Sequence, residues 1–323
     1  MRVTSLLLAV ALSVLALPAS AQTNTPWPTR QAIRLVSPFP PGSSLDTIAR
    51  PVFEQVSKQI GQGYIVENRP GAGGTIGMAA VAKADADGYT LLINSSVHTI
   101  TPSTYSNLRY DTVRDFAGIA PLAQFPNVLA VPPSRYKTVQ EMVAAGKAKP
   151  GSITYGSGGV GAATHLNAER FRLSAGFTAV HVPFKGAPEA LREVIGDRID
   201  FYFSPLASAL PLIEGREVRA LAVSGLKRTP ALPDVPTTLE AGYPNSDYIF
   251  WIGMFAPSAT PRAIIDRLAA EIAKAKAEPA VQQVIAKQGA ELMSMSPADF
   301  DQYVRAEINS NAALVKAAGI KPI

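Results

Sequence analysis

Cysteine is absent from the 323-residue chain, which excludes thiol nucleophiles, iron–sulfur clusters and a disulfide scaffold. Histidine occurs three times, as His98, His165 and His181, with no metal-ligand spacing and no H-E-x-x-H pattern, so neither a metal nor another cofactor is expected. The nucleophile elbow G-x-S-x-G is missing, because Tyr155 stands where its first glycine would precede Ser157. Lysine and arginine never form a run interleaved with aromatic residues, so nucleic acid is not an expected partner. Beyond the first 21 residues no apolar run reaches the length of a membrane helix, and the mature chain is expected to be soluble.

What is present begins with Arg2, an apolar run from Leu6 to Leu17 broken by Ser13, and then Pro18-Ala19-Ser20-Ala21 before Gln22. This order reads as a secretory signal peptide cleaved after Ala21, which places the mature chain in the periplasm. Loss of Arg2 lowers the formal net charge from +5 to +4, a scattered excess that suits an anionic solute. The 302 remaining residues are too many for one simple core and suit two lobes.

Short β-rich runs alternate with amphipathic helical stretches. Residues 32–37, 64–67 and 90–94 read as buried strands. Ile48, Val52, Val56 and Ile60 recur every four residues, as on the buried face of a helix, and Pro51 inside it should cost a hydrogen bond or a kink. Another helix should begin near Thr75. A second set of elements follows 128–131, with helices over 138–147, 162–173 and 187–195 and strands over 152–155, 179–182, 201–203 and 219–224. Residues 227–245 read as a long connection, 251–256 as a strand, and two or three helices close the chain. The last carries Phe300, Val304, Ile308 and Val315 along one face. Such alternation predicts open, mainly parallel sheets covered by helices.

Two loops between a strand and a helix can carry chemistry. In Pro38-Phe39-Pro40-Pro41-Gly42-Ser43-Ser44-Leu45-Asp46, Gly42 permits a tight turn and the Ser43/Asp46 spacing fits a capping box. The helix start would offer free N–H groups and a positive dipole end to an anion; a well-capped helix and nothing more is the alternative. Asp46 itself reads as a helix-stabilising acid. Gly156-Ser157-Gly158-Gly159-Val160-Gly161 satisfies G-x-G-x-x-G, but the acid that a dinucleotide site requires some twenty residues on is absent from Ala179-Val180-His181-Val182-Pro183. An anion cradle, with Thr164 and His165 in the first turns of the next helix, or a merely tight turn are the remaining readings. Ser95 and Ser96 follow one strand, and Ser204 another, at the carboxyl edge where open α/β sheets bind ligands.

Residues 38–50, 66–77 with Val66-Glu67-Asn68-Arg69-Pro70-Gly71-Ala72-Gly73-Gly74, 181–190, 219–244 with Ala231-Leu232-Pro233-Asp234-Val235-Pro236-Thr237, and the closing Ala317-Gly319-Ile320 region resemble the Bug-type extracytoplasmic solute receptors of tripartite tricarboxylate transporters. The resemblance spans nearly all of the mature chain. It implies a type II periplasmic binding protein fold of two α/β lobes, with 22–125 and 249–323 in one lobe and 126–248 in the other. A small organic carboxylate would lie between them, held partly through waters and delivered to membrane permease subunits by a monomer that performs no catalysis. By position, the resemblance picks Phe39, Pro41, Gly42, Ser43 and Ser44 from the first lobe. From the second it picks Ser157, Gly158, Gly161, Ala162, Thr164 and His165; Lys185 fits a similar motif or a surface charge equally well. Three departures stand out: Ser43 where a second glycine is usual, Ser204 where an acid commonly follows the strand, and Asn311 in place of an aromatic residue in the last helix. An exported sensory module and an exported α/β hydrolase are the rival readings.

Overall fold

The computed structural model describes residues 27–323; the expected leader and its cleavage site lie outside the described residues. The first half of the chain runs β1 (Ile33–Ser37), α1 (Ser44–Ile60), β2 (Tyr64–Asn68), α2 (Thr75–Ala82), β3 (Thr90–Ser95), α3 (Val97–Thr104) and β4 (Phe116–Val131). It continues with α4 (Val139–Ala148), β5 (Ile153–Ser157), α5 (Ala163–Ala175), β6 (Ala179–Pro183), α6 (Ala187–Ile195), β7 (Phe201–Pro205), α7 (Leu206–Glu214) and β8 (Arg219–Val223). The chain then returns through β9 (Ile249–Pro257) and ends in α8 (Arg262–Ala277), α9 (Pro279–Lys287), β10 (Glu291–Leu292) and α10 (Pro297–Ala317). Among the described residues no helix is long and apolar enough to cross a membrane.

The strands follow the order β2-β1-β3-β9-β4-β7-β5-β6, with β8 and β10 also paired to β4. One lobe holds the parallel set β2-β1-β3, the other the parallel set β6-β5-β7. The sheet is mixed rather than mainly parallel, because β4 and β9 pair antiparallel to each other and to the strands beside them. These two strands carry the chain across. The part of β4 up to Pro126 pairs with β9, and from Asn127 onward it pairs with β7 and β8. The sequence pattern missed the first twelve residues of β4 because Gly118, Pro121 and Pro126 interrupt it.

Each lobe has its own apolar packing. Val36, Met78, Trp251, Phe255 and Phe300 cluster in the first, and Tyr155, Phe171, Phe201 and Phe203 in the second. Complete burial of each such side chain stabilises by about 1.5–3 kcal/mol. In α1 the buried positions Ile48, Val52, Phe53 and Val56 lie on one side, and Gly61, at φ 65°, ends the helix in the left-handed conformation. The expected defect at Pro51 is repaired rather than expressed as a break. Proline has no N–H for the carbonyl of Thr47, and Nε2 of Gln288 donates to that oxygen at 3.0 Å. The Asn311 amide donates to Thr99 Oγ1 at 2.8 Å and so ties α10 to α3.

Gly253 lies in β9 where a Cβ would sit 2.5 Å from Cζ of the fully buried Phe300. Gly253→Ala is therefore expected to cost about 1–3 kcal/mol through overpacking. Gly63→Ala, where a Cβ would meet nothing within 4 Å, should stay within about 0.5 kcal/mol of the parent. Denaturant midpoints of both variants check this, and equal losses at the two positions would contradict the packing assignment.

Candidate functional site

Five connections leave the carboxyl edges of β1, β3, β5, β6 and β7, and each runs into a helix. Those edges face one another across the two lobes and border one narrow cleft. From the first lobe Phe39, Ser43, Ser44, Leu45 and Ser95 line it. From the second come Gly158, Ala162, Ala163 and Thr164, then Gly186 with Ala187, and finally Tyr202 and Pro205. Phe250 on the returning β9 closes the wall.

The starts of α1, α5, α6 and α7 therefore all border the same space. The first-turn N–H groups of a helix have no acceptor within it, and the helix end carries a partial positive charge. Of the two effects the direct donors dominate. A hydrogen bond to a charged acceptor contributes about 1.5–3 kcal/mol, against about 0.3–1 kcal/mol for an exposed dipole end.

The first loop is fixed from below. Asn68 Nδ2 donates to the carbonyl of Phe39 at 2.8 Å, and Gly42 turns at φ 76°. The expected capping box does not form. Asp46 is ion-paired with Arg50 at 3.0 Å and accepts from the N–H of Gly42 at 3.3 Å, while the N–H of Ser43 goes to the carbonyl of Pro40. The acid is thus drawn away from Ser43. The Ser43 side chain makes no cap bond, and its hydroxyl is buried without a hydrogen-bond partner among the described residues. Ser44 Oγ lies 2.7 Å from Ser208 Oγ of α7, a bond across the cleft.

The second loop is held by hydroxyl and imidazole groups. Gly158 N donates to Thr164 Oγ1 at 2.9 Å, and Gly161 N donates to Nδ1 of His165 at 3.2 Å. Ser157 Oγ meets His181 Nε2 at 2.6 Å and donates to the carbonyl of Gly159. The two imidazoles stack with centroids 3.9 Å apart, and Tyr155 lies against them. Burial lowers the pKa of His165 to about 4 and that of His181 to about 3. Both therefore act as neutral braces for the loop.

The lobes also touch beside the cavity. Tyr105 OH donates to the carbonyl of Val160 at 2.9 Å. A Cβ on Gly159 would lie 3.3 Å from Cα of Gly73, and one on Gly161, at φ 72°, would lie 2.3 Å from Thr104 Oγ1. Glycine at these positions allows the backbones to meet.

Of the residues singled out by sequence, Phe39, Ser43, Ser44, Ser95, Gly158, Ala162 and Thr164 face the cavity. Pro41, Gly42, Ser157, Gly161 and His165 shape its loops without lining it. Ser96 Oγ instead accepts from the N–H of Trp251 at 3.2 Å, and Ser204 Oγ donates to the carbonyl of Pro205 at 3.1 Å. Lys185 is exposed outside the cavity. Sequence reasoning placed Pro205 beside Ser204 at the carboxyl edge, where it lines the cavity, and missed Leu45, Ala163, Gly186, Ala187, Tyr202 and Phe250. The Gly186-Ala187-Pro188 helix start after a strand was a legible signal for two of them; for Phe250 no signal existed, since its place depends on the return of β9.

The profile of the tripartite tricarboxylate transporter family receptor matches residues 48–320. The UPF0065 protein in the tcbD-tcbE intergenic region of Pseudomonas sp. (strain P51) is 37% identical over 290 residues, covering 89% of this chain and 86% of that protein. Among solved structures, Rpa4515 of R. palustris with adipate superimposes with a TM-score of 0.89 at 33% identity, over 92% of this chain and 100% of the other. MatC (Rpa3494) from Rhodopseudomonas palustris with bound malate gives 0.85 at 27% identity, over 89% and 99%.

All three histidines have folded pKa values below the ordinary 6.5, His98 to about 3 by burial. The unfolded chain therefore binds more protons than the folded one between about pH 4 and 6.5. Stability is fully present above that window and is lost as pH falls through it. One such group contributes a slope of up to about 1.4 kcal/mol per pH unit. Denaturant melts across this window should show a shallower slope for His165→Gln than for the parent, and parallel profiles would contradict the neutral-brace assignment.

Proposed function

The chain belongs to the tripartite tricarboxylate transporter receptor family, and from that premise we propose that it captures a small organic carboxylate in the periplasm and delivers it to the membrane permease of such a transporter. The observation that carries the reading is the convergence of helix starts from both lobes on one cavity. A carboxylate there accepts hydrogen bonds from N–H groups that otherwise lack acceptors. The adipate and malate of the two solved relatives are both carboxylates.

In this reading Phe39, Ser43, Ser44, Ser95, Gly158, Ala162 and Thr164 contact the solute or its waters, while Pro41, Gly42, Ser157, Gly161 and His165 hold the loops in place. Residues 22–125 and 249–323 form one lobe and 126–248 the other, moving about the crossing strands. Export with cleavage after Ala21 puts the receptor on the outer side of the membrane. Both halves of the site come from one chain, so a monomer suffices. The reading includes no catalysis. His165 and His181, the nearest candidate bases, are committed to the N–H of Gly161 and the hydroxyl of Ser157.

Mature protein refolded from denaturant, and so stripped of any solute carried through purification, should melt at a higher temperature in the presence of its carboxylate. At a hundredfold excess over Kd the added stability is about 2.7 kcal/mol. A thermal-shift panel of organic acids, sugars and metal cations checks this. Stabilisation by sugars or cations alone, with no acid effective, would sink the proposal.

A further inference from the structure

The turn after β2 is strained, and the cavity makes no direct use of it. Gly71, Ala72, Gly73 and Gly74 have φ values of 129°, 45°, 61° and 99°, and none of the four lines the cavity. Ala72 lies in the left-handed region without being glycine, a conformation that a side chain disfavours. Strain of this kind persists only where the surroundings over-determine it. Here the N–H of Arg69 donates to the carbonyl of Ser37 at 2.8 Å, and that of Gly74 to the carbonyl of Gly71 at 2.9 Å. Thr75 Oγ1 donates to the carbonyl of Ala72 at 3.0 Å.

The turn presents bare backbone to the other lobe. A Cβ on Gly73 would lie 2.5 Å from the hydroxyl oxygen of Tyr105 and 2.8 Å from the carbonyl oxygen of Val160. Gly159 approaches Cα of Gly73 from across the cleft, and Gly161 approaches Thr104. The apex Gly159-Val160-Gly161 of the second-lobe loop therefore sits in a notch made by Gly73 and by Thr104 and Tyr105 at the end of α3. One hydrogen bond crosses there, from the Tyr105 hydroxyl to the carbonyl of Val160 at 2.9 Å. Burial pushes the pKa of that hydroxyl up to about 12, so it stays protonated and donates.

None of the notch or apex residues lines the cavity, but Gly158 and Ala162, which flank the apex, both do. Wherever the apex goes, that part of the cavity wall goes with it.

Resting on the solute-receptor reading above, we infer that the notch is a latch: the apex Gly159-Val160-Gly161, docked against Gly73, Thr104 and Tyr105, holds the rim of the cleft shut and retains the solute, with Tyr105 as a positioning residue that does not touch it. Every atom of the latch belongs to the chain, so it forms whether the cavity is filled or empty. It sets how long a solute stays, not which solute enters. Escape requires the Tyr105 bond to break, whereas entry occurs with the rim already open, so the latch acts on dissociation. Glycine at 73 and 159 follows from the same geometry, because a side chain at either would wedge the lobes apart.

Two measurements on refolded mature protein test this, each with Tyr105→Phe and Gly73→Ala beside the parent. Because the chain has no cysteine, thiols introduced as Lys83→Cys and Lys147→Cys, exposed positions with one in each lobe, can be spin-labelled without background. In the ligand-free protein both variants should populate the longer lobe separation more than the parent does, and superimposable distance distributions would overturn the latch. Isotope-labelled adipate and malate, chased with unlabelled acid, give the dissociation rates. A neutral hydrogen bond lost across the rim should speed release from Tyr105→Phe by about three- to tenfold, with association no slower. Release at the parent's rate would overturn the role of Tyr105. A hydroxyl that only packed the end of α3 would lower the melting temperature and leave both readouts unchanged. Tyr105→Phe removes a single oxygen, so the test stands even where the Gly73→Ala turn fails to form. If neither acid binds the parent, that result counts against the carboxylate reading, and the distance distributions alone decide the latch.

Discussion

A helix cannot satisfy its own first-turn N–H groups, and this chain places the starts of α1, α5, α6 and α7 around a single cavity. That constraint organises the rest of the molecule. The connections at the carboxyl edges must be short and tight enough to bring those starts together, which accounts for Gly42 at φ 76° and Gly161 at φ 72°. They must also be held rigidly, which accounts for Asn68 beneath Phe39 and the stacked imidazoles beneath Gly161 and Ser157. With donors supplied by the backbone, the wall needs no arginine or lysine. Its side chains are free to set shape and selectivity instead.

The donors belong to two lobes, so a solute that accepts from both links them. The lobes are connected through β4 and β9, whose pairing changes hands between Pro126 and Asn127. Around the cavity they already meet through Tyr105 and Val160, Ser44 and Ser208, and the glycine backbones at 73 and 159. A buried apolar cluster also runs from one lobe to the other, joining Phe39 and Leu45 to Ala163, Ala187 and Tyr202. A ligand with greater affinity for the closed arrangement shifts the balance further towards it. The C-terminus takes part too. The N–H of Ile323 donates to the carbonyl of Thr104, and its own carbonyl accepts from Ser106, which buttresses the segment that reaches Val160.

Much of this arrangement was legible in the sequence because the signals are local. Proline and glycine between a β-rich run and an apolar helical face mark a turn whatever surrounds it, and so both cradle loops could be placed. The type II periplasmic binding fold followed from the resemblance, and the superposition on Rpa4515 agrees with it. What failed depended on distant partners. The Ser43/Asp46 spacing satisfied the capping pattern, yet Arg50 one turn on draws the carboxylate away. Ser96 and Ser204 follow the right strands, but one hydroxyl is engaged by the N–H of Trp251 from a strand far along the chain and the other by its neighbour's carbonyl. The starts of α3 and α7 carry no side-chain cap, and each helix contains a proline, so neither announced itself.

The central claim is that one carboxylate, gripped by backbone donors from both lobes, holds them closed. Small-angle scattering on refolded mature protein tests it most directly, with and without a carboxylate whose saturation has been established by calorimetry. The account predicts a smaller radius of gyration in the saturated protein, because contacts on both sides favour the closed state by the difference in affinity. An unchanged radius at full occupancy would contradict it and would place the binding determinants within a single lobe.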